Sequence, residues 1–134
     1  MLKLLTVLAI FALILWGQIG RSSSDVLVIE LKNSHESGSD LLVKGFANLD
    51  IAKEYARRRV RDSIEELRSQ GMTPTQLQQL WTIYGEDASV VKGNYKASSE
   101  LDFFLQHPAT PQERDWETLE KENKVVKEKM HRAK

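Results

Sequence analysis

An amphipathic stripe between residues 50 and 68 constrains the fold of this chain more than any other feature. Apolar side chains recur there at spacings of three and four residues, at Ala52, Tyr55, Ala56, Val60, Ile64 and Leu67. That period predicts an α-helix with one buried face. Asn48 or Asp50 is suited to cap the start of this helix, and Gly71 to end it in the left-handed conformation. We expect the apolar stripe to pack against a small sheet.

Strand signals precede this helix. Residues 25–32 (DVLVIELK) and residues 41–46 (LLVKGF) are rich in strand-forming side chains, and the polar loop NSHESGSD separates them. Two such runs around a polar loop predict a hairpin. Residues 87–93 (DASVVKG) predict a third short strand.

Helix signals follow the stripe. Thr73, Pro74 and Gln76 form a capping box with proline at the first helical position, so a second helix is predicted to begin there. Its predicted buried residues are Leu77, Leu80, Trp81 and Tyr84. Residues 98–106 predict a short helix that turns Leu101, Phe104 and Leu105 inward.

Residues 109–134 are predicted to form a charged amphipathic terminal helix, opened by a second capping box at Thr110 and Glu113. A seam at 3-4-3-4 spacing is the candidate for self-association: Trp116, Leu119, Asn123, Val126 and Met130. Since it covers barely two heptads, the helix is predicted to dock either on its own domain or on a second copy in a homodimer.

The predicted fold class is therefore α+β, with a small three-stranded sheet packed by helices in β-β-α-α-β-α order across residues 25–108. A hydrophobic helix precedes this domain and the amphipathic helix follows it. The 134 residues of the chain suit one such domain with appendages.

The hydrophobic segment at the N-terminus indicates a membrane. No charged residue occurs from residue 4 to residue 20, a run of 17 residues. As a helix this run is about 25 Å long, close to the shortest that crosses a bilayer. Residues 1–20 are predicted to be an uncleaved signal anchor or a cleaved signal peptide, with residues 21–24 as a spacer. The positive-inside rule keeps the N-terminus cytoplasmic. With an uncleaved single-pass anchor, the domain is therefore expected on the far side of the membrane. After cleavage, it is expected in the periplasm or the medium.

Composition excludes several classes of function. The 19 basic and 19 acidic residues balance, so no overall field attracts nucleic acid. The absence of cysteine excludes disulfides, thiolate nucleophiles and zinc sites with sulfur ligands. No nucleotide, metal or cofactor motif occurs in the sequence, so no cofactor is predicted.

Four arginines fall within five positions of the first helix: Arg57, Arg58, Arg59 and Arg61. Carboxylates lie among them at helical spacing, as Glu54 does four residues before Arg58, and the segment is nearly neutral. This pattern favours a solvated, self-paired face over nucleic-acid binding. Lys53, Arg57 and Arg61 are predicted to remain as an exposed ridge that suits an anionic protein or a lipid headgroup.

Two polar turns are the candidates for a ligand or partner site. The first is the loop Asn33–Asp40 with His35 and Glu36, and the second is the pair Glu86 and Asp87. If the two turns lie within about 5 Å of each other, coupled histidine and carboxylate groups suit a small hydrolytic or metal-dependent enzyme. If they lie apart, the loop is a binding surface. No histidine has a second ligand at metal-binding spacing, so no metal site is predicted.

The order of motifs resembles a family of small uncharacterised bacterial α/β proteins. Its pattern is a strand with a polar Asn/His turn, a G-x-F strand end, a helix, then G-M-[ST]-x-x-x-L and an aromatic-Gly-Glu-Asp turn. The matching residues, within residues 25–91, are Asn33, His35, Gly45, Phe46, Gly71, Met72, Thr73, Leu77, Tyr84, Gly85, Glu86 and Asp87. Ser37, Gly38 and Ser39 replace the family's aromatic and acidic residues in the first turn. The resemblance implies the α/β arrangement and does not imply any particular activity.

Together these features favour a non-catalytic protein-interaction module of the cell envelope. Its expected partners are the membrane, through residues 4–20, and a second protein, with no nucleic acid. The alternatives are the small enzyme of the two turns and a structural homodimer through the terminal helix.

Overall fold

The chain folds into an α+β domain, as the sequence predicts. The computed structural model describes the backbone of residues 28–33 and 41–129 and the side chains of residues 41–129. The elements in chain order are β1 (Val28–Asn33), β2 (Leu41–Lys44), α1 (Leu49–Leu67), α2 (Pro74–Tyr84), β3 (Glu86–Val90), β4 (Tyr95–Lys96), a 3-10 turn (Ala97–Glu100), α3 (Leu101–Gln106), a second 3-10 turn (Gln112–Arg114), α4 (Trp116–Asn123) and β5 (Val126–Lys129).

The described strands form one antiparallel sheet of five strands in the order β4-β3-β1-β2-β5. The predicted number of three strands is wrong, because the prediction missed both edge strands, β4 and β5. Each is short, and β5 is exposed along its whole length. Neither therefore has the buried apolar run by which a strand is recognised in a sequence.

The predicted apolar stripe is the centre of the core. Tyr55, Val60 and Ile64 on α1 are fully buried, and Val43 and Val90 from the sheet join them in one cluster. Each side chain of this size contributes about 1.5–3 kcal/mol when it leaves water. Burial of this stripe therefore fixes α1 against the sheet.

The start of α2 is as predicted, and its packing is not. The Thr73 hydroxyl accepts the Gln76 amide proton while the Gln76 side chain accepts from the Thr73 amide. Leu77 is buried, but Tyr84 is half exposed, so its predicted burial is wrong. The helix packs against α1 and α3, and Leu77 is its one buried residue.

The prediction of one helix through residues 109–134 is wrong for its described part. The capping box of Thr110 and Glu113 forms, yet it opens only the 3-10 turn. After Asn123, Lys124 adopts a left-handed conformation with φ of 51°, and the chain turns back as β5 beside β2. The free edge of β2 thereby gains backbone hydrogen bonds that a longer helix would not supply.

Among the helices of residues 41–129, none has the length and apolar character needed to cross a bilayer. The predicted N-terminal hydrophobic helix lies outside the described residues.

Candidate functional site

The two predicted polar turns begin at the same end of the sheet. Strand β1 pairs with β3 so that Asn33 lies opposite Glu86. Opposed Cα atoms in an antiparallel pair are about 4.5–5.5 Å apart. His35, Glu36 and Asp40 lie outside the described residues. The structure thus brings the start of the loop to Glu86.

Glu86 and Asp87 do not form a carboxylate pair. Neighbouring residues of a strand point to opposite faces, and the two side chains have different partners. Glu86 accepts two hydrogen bonds from Arg59, at 2.9 and 3.0 Å. Asp87 accepts from the Ser98 hydroxyl at 2.7 Å, and its carboxylate lies 3.7 Å from Lys96. The predicted pair is separated by the sheet itself.

Glu86 opens onto a polar cleft of about 200 Å³ between α1, the end of α2 and the start of α4. Its lining residues are Arg59, Asp62, Ser63, Glu66, Leu67, Tyr84, Glu86 and Trp116. The guanidinium of Arg59 lies 3.9 Å from the centre of the Trp116 ring, and the indole N–H donates to Asp62 at 3.0 Å. Arg114 donates to the other oxygen of Asp62 at 2.8 Å. The polar groups of this cleft are thus largely engaged with one another.

The charge of Glu86 is set by two opposing effects. Burial raises the pKa of Glu86 above its ordinary value, and the Arg59 guanidinium opposes that rise. The side chains of Arg59 and Glu86 are only 10% and 25% exposed. A carboxylate held by two hydrogen bonds to a buried guanidinium is suited to joining α1 to β3. It is poorly suited to taking a proton from a substrate.

Two arginines, Arg61 and Arg68, attach the C-terminal half of the domain to α1. Arg61 donates to the carbonyl of His107 at 2.7 Å, and Arg68 donates to the carbonyls of Phe104 and Leu105 at 3.0 Å. These carbonyls lie at the C-terminal end of α3, which has no basic residue in its own last turn. Cations stabilise the negative end of a helix. Arg61 of α1 and Arg68, the residue that follows α1, therefore cap a helix that lies about 40 residues further along the chain.

The predicted exposed ridge is wrong at one of its three positions. Arg61 is 5% exposed, and its guanidinium lies 4.9 Å from the centre of the Phe104 ring. Arg57 is paired with Glu100 at 3.2 Å. Lys53 lies over the Tyr95 ring at 5.9 Å. The helical spacing could not indicate these partners, since all of them come from residues 95–107.

The predicted self-association seam is divided between two elements, since Trp116, Leu119 and Asn123 lie in α4 and Val126 lies in β5. Trp116 and Leu119 pack on the core, while Val126 belongs to β5. The Asn123 side chain accepts the Ala47 amide proton at 3.1 Å and donates to the Leu119 carbonyl. Met130 lies outside the described residues. The seam is therefore wrong as a continuous helical face, and self-association itself stays a prediction.

A charge-free surface on α2 is the feature that the sequence prediction missed. Seventeen consecutive residues, 69–85, carry no charge in a chain whose residues are 28% charged. One residue of α2, Leu77, is buried. A groove of about 530 Å³ runs beside the helix, lined by Ser69, Gln70, Gly71, Met72, Gln76, Gln79, Leu80 and Ile83.

The charge-free run itself was the signal for this surface. The sequence predicts that Leu80 and Trp81 are buried, whereas both are half-buried in the structure. Ile83, which is not among the predicted core residues, is 52% exposed. Trp81 has one polar anchor, since its indole N–H donates to Ser63 at 2.9 Å. An uncharged helix with one buried residue has more apolar surface than its own core requires.

Within residues 41–129, no cluster of three or more His, Asp or Glu side chains is arranged to hold a metal ion. In comparisons with protein-family models, with curated proteins and with solved structures, nothing matched this chain.

Proposed function

We propose that this chain is a non-catalytic protein-interaction module of the cell envelope, held at a membrane by residues 4–20. The observation that carries the proposal is the charge-free α2 surface, the groove-bearing face of residues 69–83. Centres of protein interfaces are depleted of charged residues and enriched in methionine and aromatic side chains. This surface likewise has no charged residue, and Met72 is part of its lining.

The partner that fits the groove is a protein that inserts a few apolar side chains, such as the apolar face of an amphipathic helix. Met72 and Leu80 supply apolar lining, and Gln76 and Gln79 supply uncharged donors and acceptors. A charged ligand would lose water there without gaining an opposite charge. The volume of about 530 Å³ suits side chains of a partner.

The engagement of the acidic groups also favours binding over catalysis. Glu86 is held by Arg59, and Asp87 by Ser98. General acid–base catalysis needs a group that can exchange a proton with substrate near the working pH. Both carboxylates instead have structural partners within the domain.

The test is photo-cross-linking in cells that express the full chain. A photoreactive residue replaces Gln79, which is exposed beside the groove, and a matched one replaces Gln112, which is exposed elsewhere. We expect a cross-linked partner protein from position 79 and not from position 112. Leu80→Lys, which puts a charge into the groove, should abolish that product while thermal unfolding shows a folded domain.

Three results would overturn this assignment. Equal products from both positions would mean that the surface is not selective. A product that contains only a second copy of the chain would favour the homodimer instead. Release of the protein from membranes without an intact N-terminal segment, read from its mass, would remove the membrane from the proposal.

A second candidate, a small hydrolytic or metal-dependent enzyme, is favoured by the pairing of Asn33 with Glu86. Titration calorimetry of the full chain with Zn²⁺ tests it, beside the variants His35→Ala and Glu86→Gln. Binding that both variants abolish would favour the enzyme, and binding that neither changes would count against it.

A further inference from the structure

One end of the sheet carries three neighbouring connections. Val28 lies opposite Lys44, Lys44 lies opposite Val126, and Val90 lies opposite Tyr95. The connections at residues 45–48, 91–94 and 124–125 therefore all lie at the end where β1 begins. We name this surface, residues 45–48, 91–94 and 124–125, the leader end.

Contacts among these connections make the leader end one surface. The Asn123 side chain accepts the Ala47 amide proton. A Cβ atom on Gly45 would lie 3.6 Å from the carbonyl oxygen of Lys124, and one on Gly93 would lie 2.7 Å from a methyl group of Leu49. Residues 45–48 therefore pack beside residues 123–125, and Gly93 packs against Leu49 at the start of α1.

The chain length places this surface next to the N-terminal hydrophobic segment. Only residues 21–27 separate Gly20 from Val28. Seven residues reach at most about 25 Å when fully extended. If residues 4–20 lie in a bilayer, the leader end is thus the part of the sheet nearest to it. Asn33 and Glu86 lie about 17 Å further along the strands.

The charges of the leader end suit an anionic surface. Lys92 and Lys124 are exposed in the connections, and Lys53 lies one turn into α1. Within residues 41–129, none of these three lysines has a carboxylate within ion-pair distance. Asp50 is the acidic residue of the first turn of α1. Val91 is 55% exposed beside Lys92, and an apolar side chain next to a cation suits a lipid headgroup region.

We infer that the leader end docks on the anionic phospholipid surface of the bilayer that holds residues 4–20, so that the Glu86 cleft and the end of α1 point away from the membrane. This inference rests on the membrane attachment in the proposed function. Each lysine near an anionic membrane surface is expected to change the ratio of docked to undocked domains about fivefold. Both the short connection to residues 4–20 and the exposed lysines favour lipid headgroups as the partner of the leader end.

The test uses the absence of cysteine, which permits single labels at chosen sites. Val91→Cys puts a fluorophore at the leader end, and Ser69→Cys puts one beyond the end of α1, about 27 Å away along the helix. The full chain is reconstituted into phosphatidylcholine vesicles with or without phosphatidylglycerol. Quenching by a lipid with a nitroxide headgroup is then measured. We expect stronger quenching at position 91 than at position 69, and only when phosphatidylglycerol is present.

Lysine variants make the test specific. Lys92→Gln and Lys124→Gln should each lower the docked-to-undocked ratio about fivefold. Lys129→Gln, an exposed residue at the opposite end of β5, should leave it unchanged. Equal quenching at the two labels, or equal effects of all three variants, would overturn the inference. Extraction of the same vesicles with alkaline carbonate reports separately whether the protein is inserted, so a failed attachment is distinguished from a failed orientation.

Discussion

Replacing Arg59 with methionine isolates the ion pair that joins α1 to β3. The change removes two charged hydrogen bonds to Glu86 and the stacking of the guanidinium on Trp116. Methionine keeps much of the side-chain volume. Loss of one partner from a fully buried ion pair costs about 3–5 kcal/mol, and a cation–π contact contributes about 0.5–2 kcal/mol. Because the Glu86 side chain is 25% exposed, water solvates the unpaired carboxylate and offsets part of that cost. We therefore expect Arg59→Met to lower the free energy of unfolding by about 3 kcal/mol.

The double variant Arg59→Met/Glu86→Gln separates the unpaired charge from the lost contacts. Glutamine removes the carboxylate that the single variant leaves without its partner, so the double variant should lose only about 1–2 kcal/mol. Arg57→Met is the matched control. Its side chain is 36% exposed and pairs with Glu100, so its loss should stay below about 1 kcal/mol.

The pH dependence gives an independent check. Burial raises the pKa of Glu86 above its ordinary value of 4.5. Between its unfolded and folded pKa values the folded state binds more protons, so stability falls as pH rises through that window. Removing Arg59 takes away the positive charge that opposes the rise in the pKa of Glu86. The pH range over which stability falls therefore extends to higher pH. The loss in Arg59→Met should therefore be larger at about pH 7 than at about pH 5.

Urea unfolding of the full chain in a mild detergent, followed by tryptophan fluorescence, measures these free energies. A loss below about 1 kcal/mol for Arg59→Met would refute the buried-pair reasoning. So would a loss that is the same at both pH values, or a double variant that is less stable than the single one.

Three further predictions concern stability in the same unfolding assay. Thr73→Ala should cost about 1 kcal/mol, since it removes the hydroxyl that accepts an amide proton at the start of α2, and helical circular dichroism should fall with it. Gly85→Ala should cost about 1–3 kcal/mol, because its Cβ would lie 2.2 Å from the Trp81 ring, whereas Gly71→Ala has open space and should cost about 1 kcal/mol through its φ of +82° alone. A larger loss for Gly71 than for Gly85 would contradict this. Phe104→Ala should cost about 3–5 kcal/mol because that ring is fully buried, and a loss below 1 kcal/mol would show that α3 is not part of the core.

Local sequence determined the elements whose signals lie within a few residues. The stripe centred on Tyr55, Val60 and Ile64 specified α1 and its buried face, and it is buried as predicted. The capping box at Thr73 specified the first turn of α2. Helical periodicity and capping act over three to seven residues, so a sequence contains their whole physical cause.

Tertiary structure alone decided which groups contact the polar face of α1 and that residues 126–129 form a strand. The partners of Arg59 and Arg61 lie 27 and 46 residues away, far beyond the three or four residues over which helical spacing pairs side chains. Residues 126–129 look helical by spacing, yet they pair with β2 because its edge offers unpaired backbone groups. A guanidinium or a strand edge bonds with whatever group the whole fold brings to it, and no short window of sequence contains that group.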